Sequence, residues 1–207
     1  MRFLFLFALP LLLAVEAFAD QPLQPWLDVA LPGSVLRLPA GTYRGPAIID
    51  KPLTLEGNNK VIVDAGGQGT VLTIKADNVT VRGLTLRNSG DSHDKLDGAI
   101  MGEGKGLLIE NNVLEDVLFG ISLHKTTDSM VRHNLIRSRA ADSADRGDGI
   151  RLWYSTGNRI EHNDIAHVRD ITVTNSPRNR FSNNLIRDSR RAFNFLFSHR
   201  SIIEGNR

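Results

Sequence analysis

The chain reads as all-β, a right-handed single-stranded parallel β-helix with about 22 residues per rung and a short N-terminal helical cap. Three observations predict it. First, similar words recur: "LLIENNVL" (107–114), "MVRHNLI" (130–136), "GNRIEHNDI" (157–165), "RFSNNLI" (180–186) and "SIIEGNR" (201–207). Aligned on Asn112, Asn134, Asn163, Asn184 and Asn206, they are spaced by 22, 29, 21 and 22 residues. Second, each unit begins with a period of two, as in "GISL", "GIRL", "DITV" and "AFNF", which is a strand signature and not a helical one. Third, a polar turn, a short β-like piece, the Asn and a further short piece follow in order. Three strands and three turns make one rung, and rungs stack about 4.8 Å apart.

Taken from the N-terminus, "MRFLFLFALPLLLAVEAFA" is separate in character. Arg2, an apolar stretch from Phe3 to Val15 and the Ala17-Phe18-Ala19 box predict a secretory signal peptide over 1–19, cleaved after Ala19. An exported, soluble mature protein follows, since no other stretch approaches the length of a membrane span. "QPWLDVA" (24–30) predicts a turn or two of helix covering the open first rung, a device solenoids need because an uncovered rung exposes unpaired backbone. "KPLTLEGNNKVIVDAG" (51–66) and "VLTIKADNVTVRGLTL" (71–86) read as earlier rungs, with Gly83 in the ladder position. From there Ile121, Ile150, Ile171 and Phe193 form one inward stack, and Leu123, Leu152, Val173 and Phe195 another. Met101 aligns with inward Leu123. The asparagines form a ladder in which identical amides bond to one another and to buried turn backbone. The sequence stops at Arg207, one residue past a ladder Asn. The β-helix domain, 20–207, is therefore expected to be part of a longer β-helix, or to be covered at that edge by a partner.

Composition narrows the function. A formal charge of +2, a pI near 9.1 and 6% aromatic residues leave neither a basic run nor a stacking platform for nucleic acid. Cysteine is absent, which excludes thiolate metal sites, a Cys nucleophile and disulfides. Leucine-rich repeats are the rival solenoid, but their L-x-x-L-x-L spacing is missing.

Two places can hold a site. The long connections 87–98 and 137–149 emerge from one edge about two rungs apart. They frame a groove floored by His124, Arg151 and Trp153, with Ser122 beside them and Asp91, His93, Asp94, Asp97, Asp145 and Asp148 on its walls. The alternative is that both loops are solvated and their carboxylates keep them so. The second place is the pair His133 and His162, which share a column on adjacent rungs about 5 Å apart. Two imidazoles at that spacing suit a metal ion such as copper, with His124 a further donor and Met130 beside the turn. The alternative is that both face water as turn residues. Sugar-cleaving enzymes need paired carboxylates or a carboxylate-held Ca²⁺. The outward positions 122, 124, 151, 153, 172 and 174 are instead Ser, His, Arg, Trp, Thr and Thr.

Several stretches carry a resemblance. "PGSVLRLPAGTYRGPAIIDKPLTLEG" (32–57) resembles the opening of exported pectate-lyase-like β-helices. "GTVLTIKADNVTVRGLTLRNSG" (69–90), "LFGISLHKT" (118–126) and "RGDGIRLWYSTGNRIEHN" (146–163) together resemble the NosD family. That resemblance implies a non-catalytic periplasmic role in maturing copper-dependent nitrous oxide reductase. It implies work beside an ABC transporter permease and ATPase, with copper received from a small lipoprotein chaperone. Copper is then a transient cargo, and the membrane is reached only through partners. An exported carbohydrate-binding or polysaccharide-modifying protein (lyase, epimerase or hydrolase) is the other class the residues allow.

Overall fold

The structure is a computed structural model that describes residues 18–139, 142 and 145–207. The signal-peptide expectation for 1–17 lies outside the described residues; Phe18–Pro22 is an edge strand paired in parallel with Gly41–Arg44. Every strand pairing is parallel, and the strands line three faces of a prism. Seven strands from Ala47–Ile49 to Asn194–Leu196 form the first face. Leu108–Glu110, Met130–Arg132, Arg159–Glu161, Arg180–Ser182 and Ile202–Glu204 stack on the second. Val113–Val117, Leu135–Ser138, Asp164–Ala166 and Leu185–Arg187 stack on the third.

Alternation drives this packing. Ile121, Ile150 and Ile171 stack in register inside the prism, as do Leu123, Leu152 and Val173, all 0% exposed. Phe195 continues the second column in register, and Phe193 and Phe195 pack against the core from the last rung. Each such residue contributes about 1.5–3 kcal/mol relative to exposure. At the other end the helix Gln24–Val29 buries Leu27, while Trp26 meets Tyr43 edge-on at 6.0 Å. The Gln24 side chain covers the first strand's edge: its Nε2 donates to the Ile48 carbonyl at 3.2 Å and its Oε1 accepts from Ile48 N at 2.7 Å. Lys51 Nζ donates to the Asp28 carbonyl at 3.0 Å at the helix C-terminus.

Each corner has one construction: a residue with left-handed backbone, then an inward residue, polar in the later rungs, that bonds to the next rung. At the third corner Asn111, His133, His162, Asn183 and Gly205 have φ between +53° and +62°. They precede Asn112, Asn134, Asn163, Asn184 and Asn206. In that ladder the backbone N–H and the Nδ2 of Asn112, Asn134, Asn163 and Asn184 each donate to the next Oδ1 at 2.9–3.1 Å. At the second corner Asp128, Gly157, Arg178 and Arg200 precede Ser129, Asn158, Asn179 and Ser201, which are bonded likewise. At the first, Lys125, Tyr154, Asn175 and Phe197 precede Thr126, Ser155, Ser176 and Ser198.

Two expectations need correction, both by one residue. Gly83 is not in the ladder: it holds the left-handed corner at φ +65°, and Leu84 takes the ladder position, its N–H donating to Asn112 Oδ1. Met101 does not face inward. Gly98 lies opposite Phe119 and not Gly120, so Gly102 fills the inward slot beside Leu123 and Met101 stands outward opposite Ser122. With a side-chain period of two, one residue of register exchanges the faces.

Candidate functional site

The outward side of the first face carries two columns in register. One runs Met101, Ser122, Arg151, Thr172; the other runs Glu103, His124, Trp153, Thr174. Ser122, His124, Arg151, Trp153 and Asp148 therefore come together across two rungs. The Arg151 guanidinium lies 5.6 Å from the Trp153 ring centre and 3.9 Å from Asp148 Oδ2. Asp148 is buried, and its other oxygen accepts from Arg169 Nε at 3.0 Å. One carboxylate is thus shared by two guanidiniums. Ser122 Oγ, His124 Nε2, Asp148 Oδ2 and Arg151 Nε are buried and lack a hydrogen-bond partner, an arrangement that costs stability unless something answers it. Burial, and then the Arg151 charge, lower the His124 pKa below the usual histidine value, with Lys125 adding to this and Glu103 opposing it. The imidazole is neutral at pH 7.

The two long loops meet beside this surface. His93 Nε2 lies 3.1 Å from the Asp145 carbonyl, which makes that nitrogen the protonated donor, and its ring packs edge-on against Phe119 at 5.6 Å. Arg139 Nη2 donates to the Ser89 and Gly90 carbonyls at 2.7 and 3.1 Å. Asp97 is not a groove wall. It is buried, its Oδ2 accepts from Ser92 N at 3.1 Å, and it fills the space against Gly90, closing its own loop. Asp91 and Asp94 stay exposed on that loop.

His133 and His162 stack with ring centres 5.1 Å apart and planes 11° from parallel. Imidazole donates to a metal in its own ring plane. Two nearly parallel planes share no such point, so one ion takes both nitrogens only after a ring turns. His124 sits on a different face, so the three histidines do not form one site. Among the described residues no group of three or more His, Asp or Glu side chains converges on a point.

One surface feature escaped the sequence reading. Arg37, Glu56, Arg82, Glu110, Arg132 and Glu161 stand in register on the second face with alternating charge. The links include Arg37–Glu56 at 3.0 Å and Arg132–Glu110 at 2.7 Å. The residue two before each ladder Asn, alternately Glu and Arg over three rungs, was its signal. The two histidines lie at the rim of this strip.

An all-parallel prism of short rungs with amide ladders at its corners defines the class: the chain belongs to the right-handed β-helix family, whose model matches residues 61–207. Within that class it is NosD-like. It is 37% identical over 137 residues to a probable ABC transporter binding protein NosD from Pseudomonas aeruginosa, covering 64% of this chain and 32% of that protein. It is 34% identical over 160 residues to the protein of the same name from Stutzerimonas stutzeri, covering 76% of this chain and 36% of that protein. The matches span about a third of the length of these relatives. Among solved structures, the A-module of mannuronan C-5 epimerase AlgE4 from Azotobacter vinelandii aligns with a TM-score of 0.52 at 17% identity. That alignment covers 92% of this chain and 69% of the module and shows the shared fold.

Proposed function

We propose that this chain is an exported periplasmic accessory protein that associates with an ABC transporter and assists assembly of the copper–sulfur centre of nitrous oxide reductase. It does so without catalysing a reaction itself. The observation that carries the reading is its 34–37% identity to two proteins named as ABC transporter binding proteins. In this reading copper is cargo passed from a chaperone lipoprotein. The stacked His133–His162 pair, a two-nitrogen donor that needs a ring rotation to chelate, suits a transient contact better than storage. The experiment is co-elution of the leaderless chain with a purified ABC transporter permease–ATPase pair from the same organism. Co-elution at equal stoichiometry supports the reading, and separation under conditions where a full-length NosD co-elutes sinks it. Copper(I) titration against a chelator tests the histidines: His133→Ala with His162→Ala removes binding, or the ligand assignment fails.

A second reading is favoured by the Arg151–Trp153 groove, where a cation and an aromatic face stand together beside unpartnered polar atoms. Binding or modification of an acidic polysaccharide fits that chemistry. A screen of uronate polymers for binding, cleavage and epimerisation distinguishes it from the first.

A further inference from the structure

Folding alone does not account for the residues at the corner that follows the first face. The left-handed corner position favours Gly, Asn or Asp, because a Cβ crowds the backbone there. Asn175 obeys this, yet Lys125 (φ +51°), Tyr154 (φ +50°) and Phe197 (φ +52°) occupy the same column, the last two with aromatic rings. The Tyr154 ring is not held there by burial: it is 54% exposed with a rung on either side of it. Beside them, at the next corner, Arg178 and Arg200 hold left-handed positions too. They lie on consecutive rungs, joined by the bond from Arg178 N to the His199 carbonyl at 3.0 Å. Both are exposed, and neither makes an ion pair among the described residues. Trp153 stands edge-on to Tyr154 at 5.2 Å, and His124 lies in register with Trp153 on the preceding rung.

Charge is distributed along the same axis. Residues 132–207 carry fourteen arginines, no lysine and eight carboxylates, a net +6, whereas residues 20–131 carry a net −4. In a solenoid, sequence order is axial order, so the molecule is electrically polar from end to end. Exposed aromatics with arginine and without lysine are the composition of protein interface centres, in which lysine is depleted. Polybasic membrane-surface segments draw on lysine as readily as arginine.

We infer that the group of Trp153, Tyr154, Arg178, Phe197 and Arg200 is a docking surface for a protein partner that presents carboxylates beside apolar side chains. Arginine forks pair with carboxylates in two parallel bonds, and the aromatic rings supply the apolar contact. The inference names the chemistry of a partner and stands apart from the transporter reading.

The test uses the leaderless chain, a fluorescein-labelled peptide of alternating glutamate and leucine, its lysine counterpart, and vesicles of equal parts phosphatidylglycerol and phosphatidylcholine. The acidic peptide binds and the basic one does not. Arg178→Gln with Arg200→Gln weakens binding about tenfold. Lys60→Gln with Lys75→Gln, the same charge loss at exposed sites elsewhere, changes it less than about twofold. Tyr154→Asn places the corner's preferred residue, so its Tm holds or rises by about 1–3 °C while peptide binding weakens about fivefold. That combination separates a docking role from a structural one. Equal loss in the two charge variants, vesicle binding without peptide binding, or unchanged peptide affinity in Tyr154→Asn overturns the inference.

Discussion

Replacing Asn163 by Ala removes one step of the third-corner ladder from the middle of the stack. Asn163 Oδ1 accepts from Asn134 N and Asn134 Nδ2, both at 3.0 Å. Its Nδ2 donates to the Val131 carbonyl at 3.0 Å and to Asn184 Oδ1 at 2.9 Å. Asn184 Oδ1 keeps a second donor in Asn163 N, and the Val131 carbonyl stays in the parallel ladder with Arg159–Glu161, so two groups lose their partner: the Asn134 backbone N–H and one N–H of the Asn134 amide. Both lie where Asn163 is 1% exposed. At about 1–3 kcal/mol for each unanswered buried group, reduced by relaxation, the loss comes to about 2–4 kcal/mol. Asn206→Ala deletes the same contacts from a half-buried position on the last rung. Water replaces them there, and the loss is about 1 kcal/mol. Asn163→Asp keeps the acceptor but sets a carboxylate against the Val131 carbonyl and Asn184 Oδ1, so it does not rescue. Urea unfolding of the leaderless chain, followed by circular dichroism with the slope m fitted for each variant, gives the values. The reasoning fails if Asn163→Ala costs under about 1 kcal/mol, or no more than Asn206→Ala.

Two more outcomes follow from the packing and the charges. Gly120→Ala brings a Cβ to 2.2 Å from the Gly149 carbonyl oxygen; both sides are backbone, so the rungs must separate at a cost above about 2 kcal/mol, and a Tm within a degree or so of the parent's refutes this. Because burial and Arg151 depress the His124 pKa in the folded state, the unfolded chain binds a proton first as pH falls. His124 therefore withdraws stability from about pH 6.5 downward, until its own folded pKa is passed. His124→Gln flattens the difference between melts at pH 7 and pH 5.5; an unchanged slope contradicts the assignment.

What the sequence disclosed depended on how narrowly each position is constrained. The third-corner ladder was legible because a ladder that both accepts and donates through one side chain needs the same amide at every step. The first two corners were not. Ser155, Ser176 and Ser198 accept the bonds at the first corner, and Ser129, Asn158, Asn179 and Ser201 at the second, so hydroxyl and amide do one job and no single letter runs through both. Gly83 and Met101 were misplaced because the earlier rungs lack the asparagine that marks register, and an error of one residue reverses every face. The groove was half legible. Ser122, His124, Arg151 and Trp153 follow from strand alternation, whereas Asp97 lies in a loop whose closure no periodicity announces. Tyr154 and Phe197 were visible as letters, but their exposure at left-handed corners required the backbone.

The central functional claim is that this chain serves reductase maturation, and the copper content of the reductase tests it most directly. Delete the gene, purify nitrous oxide reductase anaerobically, and measure copper per polypeptide by mass spectrometry, with complementation in trans. The account predicts a folded reductase depleted in copper and restored by complementation with the exported chain. Reductase that carries its full copper load in the deletion strain contradicts it.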